Sequence, residues 1–168
     1  FLTIIGSNGS GKSTILNIVA GTYLLDSGTI GIAWTDVTRW PEHKRAGLLG
    51  RVFQDPFKGT CPSMTVAENL RMAELRGKRR GLRLGLDRSS LERYRAGLAS
   101  LGMRLEGRLQ APMGTLSGGQ RQAVTLLMAT ISRPMLLLLD EHTAALDPRA
   151  AEQIMFVTEH LVRTHALT

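Results

Sequence analysis

The sequence has 168 residues, enough for one domain and too few for two of ordinary size. Hydrophobic residues make up 43% and charged residues 21%, which excludes a collagen-like, disordered or disulfide-stapled chain. Net charge is +7, and residues 71–95 alone hold nine basic side chains against Glu74, Asp87 and Glu92, a local +6. That segment suits anionic lipid headgroups, nucleic acid or plain solvent. The single cysteine, Cys61, permits no internal disulfide and fits a reducing compartment. The longest apolar run, residues 135–139, falls far short of the roughly 20 residues of a membrane span, so no crossing of a bilayer is expected.

Residues 1–5 read as a short buried strand ending at Gly6, and with no starting methionine the chain is expected to be cut from a longer one. A glycine-rich loop leads into a helix over residues 12–20, with Ile15, Leu16, Ile18 and Val19 as its apolar face and Gly21 as its stop. Asp26-Ser27-Gly28 predicts a turn, residues 29–34 a strand, residues 41–46 a helical turn and residues 51–53 a second strand broken by Asp55-Pro56. Thr65 and Glu68 have the spacing of a capping box, which predicts a helix to about residue 76. Residues 77–87 read as a basic loop, followed by a helix capped by Ser89 or Ser90 that runs to about residue 101. Ser117 is the N-cap expected for a helix to about residue 131. Residues 135–139 predict a strand buried on both faces. Asp147 as cap and Pro148 at the first helical position open a last helix to about residue 165. Trp34 and Trp40 are expected to serve packing. Strand–helix alternation at both ends with helices between predicts an α/β core, mainly parallel, interrupted by a helical insertion.

Gly6-Ser7-Asn8-Gly9-Ser10-Gly11-Lys12-Ser13 fits the phosphate-loop pattern and lies between a predicted strand and a predicted helix, the context that pattern requires. Glycines let backbone N–H groups turn inward around phosphate oxygens, and the positive end of the helix dipole faces the same point. The Lys12 ammonium is placed to reach β- and γ-phosphates, and the Ser13 hydroxyl to ligate Mg²⁺. Asp140 and Glu141 follow the apolar strand at its carboxyl end, the edge where open α/β sheets bind ligands. Asp140 is expected to hold Mg²⁺, and Glu141 to act on an attacking water as general base or orienter. Leu116-Ser117-Gly118-Gly119-Gln120 supplies a second helix end that attracts anions.

Together these residues resemble the ATP-binding-cassette (ABC) ATPases over nearly the whole chain. The resemblance rests on Gly6 through Lys12, Ser13 and Thr14 as the Walker A loop and on Gln54 in Val52-Phe53-Gln54-Asp55-Pro56 as the Q-loop. It rests also on Leu116 to Gln120 as the signature, residues 136–141 as Walker B, and Ala145-Leu146-Asp147 as the D-loop. The resemblance implies a phosphate-loop core (residues 1–54 and 132–168) around a helical subdomain (residues 55–131), the whole forming one incomplete ABC domain. It implies ATP and Mg²⁺ as ligands, with Ser13, Gln54 and Asp140 at the metal. Glu141 and Gln54 would carry hydrolysis, and a head-to-tail dimer would place Ser117, Gly118, Gly119, Gln120 and Asp147 on nucleotide bound by the partner. It further implies a peripheral subunit at the cytoplasmic face of the plasma membrane, working with permease subunits and, for uptake, a solute-binding protein.

The chain departs from the family pattern at His142, which stands where a proline is usual; a packing role is expected for it. The stretch from Asp140 to Pro148 is similar to one branch of bacterial importers of amino-acid-like solutes. No switch histidine follows a further strand, and the adenine-stacking aromatic would lie upstream of Phe1. Alone, this stretch is therefore expected to bind nucleotide weakly and hydrolyse it poorly. The alternatives are a nucleic-acid-associated ABC ATPase, which would need long heptad coiled coils in the 63 positions between Gln54 and Ser117, and a two-cassette translation factor. No sustained heptads are present. Uptake is favoured over export because exporters more often fuse the permease to the same chain.

Overall fold

The computed structural model describes residues 2–78 and 85–165. Helix α1 (Lys12–Ala20) follows the glycine-rich loop and ends as expected: Gly21 lies at φ 86°, and its N–H and that of Thr22 reach Ile18 O and Asn17 O. Next come two short strands, β1 (Gly31–Ile32) and β2 (Thr35–Asp36), then helical turn α2 (Glu42–Arg45) and strand β3 (Leu49–Val52). Between β3 and the last strand, β4 (Leu136–Leu139), the described elements are all helical: α3 (Val66–Glu74), α4 (Arg88–Ser100), a 3₁₀ turn (Met113–Thr115) and α5 (Gly118–Thr130). Helix α6 (Pro148–His165) is the last of the described elements.

Three helix starts are as their sequences dictate. The Thr65 hydroxyl accepts Glu68 N–H while Glu68 Oε2 accepts Thr65 N–H at 2.7 Å. Ser117 and Gln120 repeat that box at the head of α5. Asp147 Oδ1 accepts Ala150 N–H at 3.0 Å before Pro148. Strand β3 runs parallel to β4, from Leu49 opposite Leu136 to Val52 opposite Leu139. Helix α5 lies directly on this pair: a Cβ added at Gly50 would collide with Ala129 O. One core cluster joins α3, α4, α5 and α6 through Leu70, Leu98, Leu126 and Ile154; a second joins α1, β1, β3 and β4 through Ala20, Ile32, Leu49 and Leu138. Full burial of each such leucine is worth about 1.5–3 kcal/mol.

Arg45, fully buried, ties α1 to its neighbours without any carboxylate. Its guanidinium donates to Ile18 O, Val19 O, Thr38 O and Trp40 O at 2.7–3.0 Å. Burial lowers its pKa, and the negative end of the α1 dipole offsets part of that desolvation.

Several expectations are corrected. Residues 2–5 form no strand: Leu2 and Ile5 are 87% and 90% exposed, and the segment finds no ladder partner among the described residues. The strand expected over residues 29–34 is a two-residue hairpin, Ile32 pairing with Thr35 around Ala33 and Trp34, both at positive φ. Trp34 is fully exposed among the described residues and serves no packing there. β4 is only half-buried apart from Leu138, because among the described residues β3 is its one ladder neighbour. Asp87, not Ser89 or Ser90, caps α4, its carboxylate accepting Ser90 N–H at 2.7 Å. Part of the basic loop, residues 79–84, lies outside the described residues. Among the described residues no helix is long and apolar enough to cross a membrane.

Candidate active site

The loop before α1 takes its shape from its glycines. Gly9 and Gly11 lie at φ 81° and 90°, where an L side chain is disfavoured, although a Cβ at either would touch nothing within 4 Å. Their requirement is one of torsion, not of space. At Gly6 a Cβ would run into the Ser10 hydroxyl. Lys12 Nζ folds back over the loop and donates to Gly6 O at 2.8 Å and Ser7 O at 2.9 Å. Ser7, Asn8, Ser10 and Thr14 are exposed. The amides here have few internal partners; Ser10 N–H, bonded to Ser7 O at 3.2 Å, is an exception.

Parallel pairing of β3 and β4 brings three distant motifs to this loop. Asp140 N–H continues the ladder to Val52 O at 3.2 Å. Its Oδ1 accepts the Ser13 hydroxyl at 3.0 Å, across 127 positions of sequence. Gln54 Nε2 donates to Glu141 Oε2 at 3.4 Å. Glu141 is exposed and sits at φ 44°, a strained position for a residue with a side chain and one that clusters at functional sites. Among the described residues no group of three His, Cys, Asp or Glu could hold a metal. A hydroxyl beside one carboxylate is instead the oxygen-donor set of Mg²⁺, which keeps its waters and takes the rest of its ligands from phosphate. Ser13 and Asp140 therefore fit that ion.

The signature residues lie elsewhere. Ser117, Gly118, Gly119, Gln120, Ala145, Leu146 and Asp147 line an open cleft of about 600 Å³ that includes no residue of the phosphate loop. Gly119 is closed over by α6, since an added Cβ would stand 3.2 Å from Ala150 Cβ. Arg121 steadies the segment ahead of Ser117: it donates to Gly114 O and Leu116 O and lies 3.9 Å over the Phe57 ring. The side chains of Gln120 and Asp147 are engaged in the caps of their own helices. One copy thus brings Lys12, Ser13, Gln54, Asp140 and Glu141 together, and it does not bring Ser117 to them.

His142 is buried. Its Nε2 meets Thr158 Oγ1 at 3.1 Å, and since that hydroxyl donates to Ile154 O, Nε2 is the donor. Burial holds its pKa below the ordinary histidine value. His160 is exposed on α6. Sequence reasoning missed Gln122, which is fully buried and bonds the backbone on both sides of the site. No local pattern marks it: it follows Arg121 just ahead of the apolar stretch of α5.

Solved ABC cassettes share this fold, a phosphate-loop core with parallel strands and flanking helices. The dimeric structure of the bacterial ABC transporter cassette MJ0796 is 26% identical, with a TM-score of 0.75 over 94% of this chain and 67% of that one. A dimeric post-hydrolysis state of MJ0796 bound to ADP and Pi is 27% identical, with a TM-score of 0.74 over 92% and 66%. The ABC transporter family model matches residues 1–144, and the chain belongs to that family. A tyrosine transport ATP-binding protein of Clostridioides difficile (strain R20291) is 45% identical over 168 residues, covering all of this chain and 66% of the relative. The spermidine/putrescine import ATP-binding protein PotA of Aliivibrio fischeri (strain ATCC 700601 / ES114) is 35% identical over 168 residues, covering all of this chain and 42% of the relative. The chain thus spans less than two thirds of the length of these relatives.

Proposed function

We propose that the protein carrying this stretch is the ATP-hydrolysing subunit of a bacterial importer, driving uptake of a small organic solute such as an amino acid through a separate permease. The observation that carries this reading is the convergence of Lys12, the Ser13–Asp140 contact and the Gln54–Glu141 contact at one strand edge. The names of the relatives in Clostridioides difficile and Aliivibrio fischeri, with tyrosine and polyamine transport in them, support the solute class.

In this mechanism the loop amides and Lys12 grip the β- and γ-phosphates, with the α1 dipole adding attraction. Ser13 and Asp140 hold Mg²⁺, with Gln54 beside them. When bound, that ion neutralises charge on the phosphates. Glu141 takes the proton of the attacking water or orients it, and Gln54 holds Glu141 and the water in place. The separation of the signature cleft from the phosphate loop supports a head-to-tail dimer in which Ser117, Gly118, Gly119, Gln120 and Asp147 close over the partner's nucleotide. Such a site forms only on closure, so nucleotide binding drives the motion.

The division into a core of residues 1–54 and 132–168 and a helical subdomain of residues 55–131 belongs to the same reading. A groove of about 610 Å³ between α2, β3, α3 and α5, lined by Leu49, Phe53, Met72, Ala73 and Met128 among others, is a fitting seat for the permease. The subunit would then lie at the cytoplasmic face of the plasma membrane. The test is ATP binding and steady-state hydrolysis by the intact chain. Lys12→Ala should abolish both; Glu141→Gln should keep binding and lose turnover. Full hydrolysis by either variant contradicts the assignment.

A further inference from the structure

Gln122 lies on α5, five residues after the cap Ser117, and it is fully buried. Its Nε2 donates to His142 O at 2.7 Å and to Phe53 O at 3.3 Å. These carbonyls belong to the residue after Glu141 and the residue before Gln54. Both acceptors are carbonyls, so the amide nitrogen must face them, and both of its protons are used. Its Oε1 is left without a partner among the described residues. The chain thus keeps a carboxamide here although one end of it stays unsatisfied, which is unfavourable in a buried site. No local need of α5 calls for it: the helix is already capped by Ser117.

The clamp bears on the strained residue. On one side of Glu141, the Asp140 N–H is fixed to Val52 O. On the other, His142 is held twice, by Gln122 at its carbonyl and by Thr158 at its ring. A backbone at φ 44° persists only where its surroundings over-determine it. Gln122 is one such constraint, and it also fixes the backbone leading to Gln54.

We propose that Gln122 is a positioning residue for hydrolysis: by bonding the backbone beside both Glu141 and Gln54 it sets those two side chains in register, and it couples them to the helix whose end is capped by Ser117. This rests on the ATPase reading above.

The test uses the intact chain and four variants: Gln122→Met, which removes both donors at similar length, Gln122→Asn, which keeps the amide one methylene short, and the references Lys12→Ala and Glu141→Gln. Turnover, KM for ATP, affinity for a fluorescent ATP analogue and the melting midpoint are read for each. Gln122→Met is expected to lower kcat about tenfold or more while KM and nucleotide affinity stay within about twofold, because an interaction serving the chemical step has gone and the phosphate loop has not been touched. In a Glu141→Gln background the same change should lower the residual rate by less than it does in the parent, since Gln122 acts in part through Glu141. Where Gln122→Met does not melt cooperatively, Gln122→Asn is measured in its place against the same expectation. An unchanged kcat overturns the proposal. So does a fall in kcat matched by a rise in KM and by lost folded protein, or an additive loss in the Glu141→Gln background. Full hydrolysis by Lys12→Ala and Glu141→Gln overturns the ATPase reading itself, and the proposal with it.

Discussion

Gly11 separates torsion from space as the reason for a glycine in the phosphate loop. It is the N-cap of α1, at φ 90° and ψ 8°, and an added Cβ would meet no atom within 4 Å. A side chain there costs only what the left-handed region costs an L-residue, about 1–2 kcal/mol. For alanine the loop would hold its binding shape only a fraction of the time, and apparent affinity falls by that fraction. At 1.4 kcal/mol per tenfold, the loss is roughly 5- to 30-fold. Asparagine tolerates this region and should lose less; a β-branched valine should lose more. Titration of the intact chain with a fluorescent ATP analogue is expected to rank affinities Gly, Asn, Ala, Val. If size governed instead, alanine would bind better than asparagine. That order, or an alanine variant equal to the parent, refutes the torsional account.

Glu74 links α3 to α4, accepting from Arg71 Nη1 at 2.7 Å, Arg93 Nη2 at 2.9 Å and Tyr94 Oη at 2.5 Å. Glu74→Ala strands the buried Tyr94 hydroxyl and the Arg71 guanidinium, and urea unfolding should show a loss of about 3 kcal/mol, with little of it from half-exposed Arg93. Tyr94→Phe should cost about 1 kcal/mol, and the two should couple by about 1 kcal/mol; strict additivity would contradict the shared bond. The Asp87 carboxyl is held below the usual range by the Ser90 hydroxyl and Ser90 N–H. Its folded pKa being the lower one, its contribution is complete above the ordinary aspartate value, about 4, and is lost as pH falls through the folded value. The melting-temperature gap between the parent and Asp87→Asn should be constant from pH 7 to about 5 and close towards pH 3; a gap that widens in acid would contradict this sign. At the hairpin tip, Ala33→Asn with Trp34→Gly supplies residues suited to positive φ at both positions. That pair is expected to add about 1 kcal/mol, or about 2–4 °C in Tm, and an unchanged or lower midpoint would show that the turn holds no such strain.

What the sequence disclosed follows from which forces are local. Glycine torsions, the Thr65–Glu68 box, the Ser117 cap and the Asp147-Pro148 start act within four residues, so α1, α3, α5 and α6 were readable in advance. The hairpin at Ala33 and Trp34 was hidden because its turn lacks the asparagine and glycine that signal one. Asp87 was passed over for the serines beside it, which are equally good caps on composition. Residues 2–5 have a strand's composition but no ladder among the described residues, and composition does not report pairing. Arg45 and Gln122 act through carbonyls up to 27 and 69 positions away, contacts without any local pattern. The site itself was legible as residue types, while the Ser13–Asp140 and Gln54–Glu141 contacts required the β3–β4 register.

The central claim is that two copies share each nucleotide, and cysteine cross-linking tests it most directly. In the intact chain, with Cys61→Ser and Glu141→Gln as background, Ser10→Cys is placed on one copy and Gly118→Cys on the other, both exposed positions, the second with room for a side chain beside Leu146. With ATP present, a short thiol cross-linker should join Ser10→Cys to Gly118→Cys between copies, and without nucleotide it should not. Absence of that product under ATP, or its equal yield without nucleotide, would contradict the shared site.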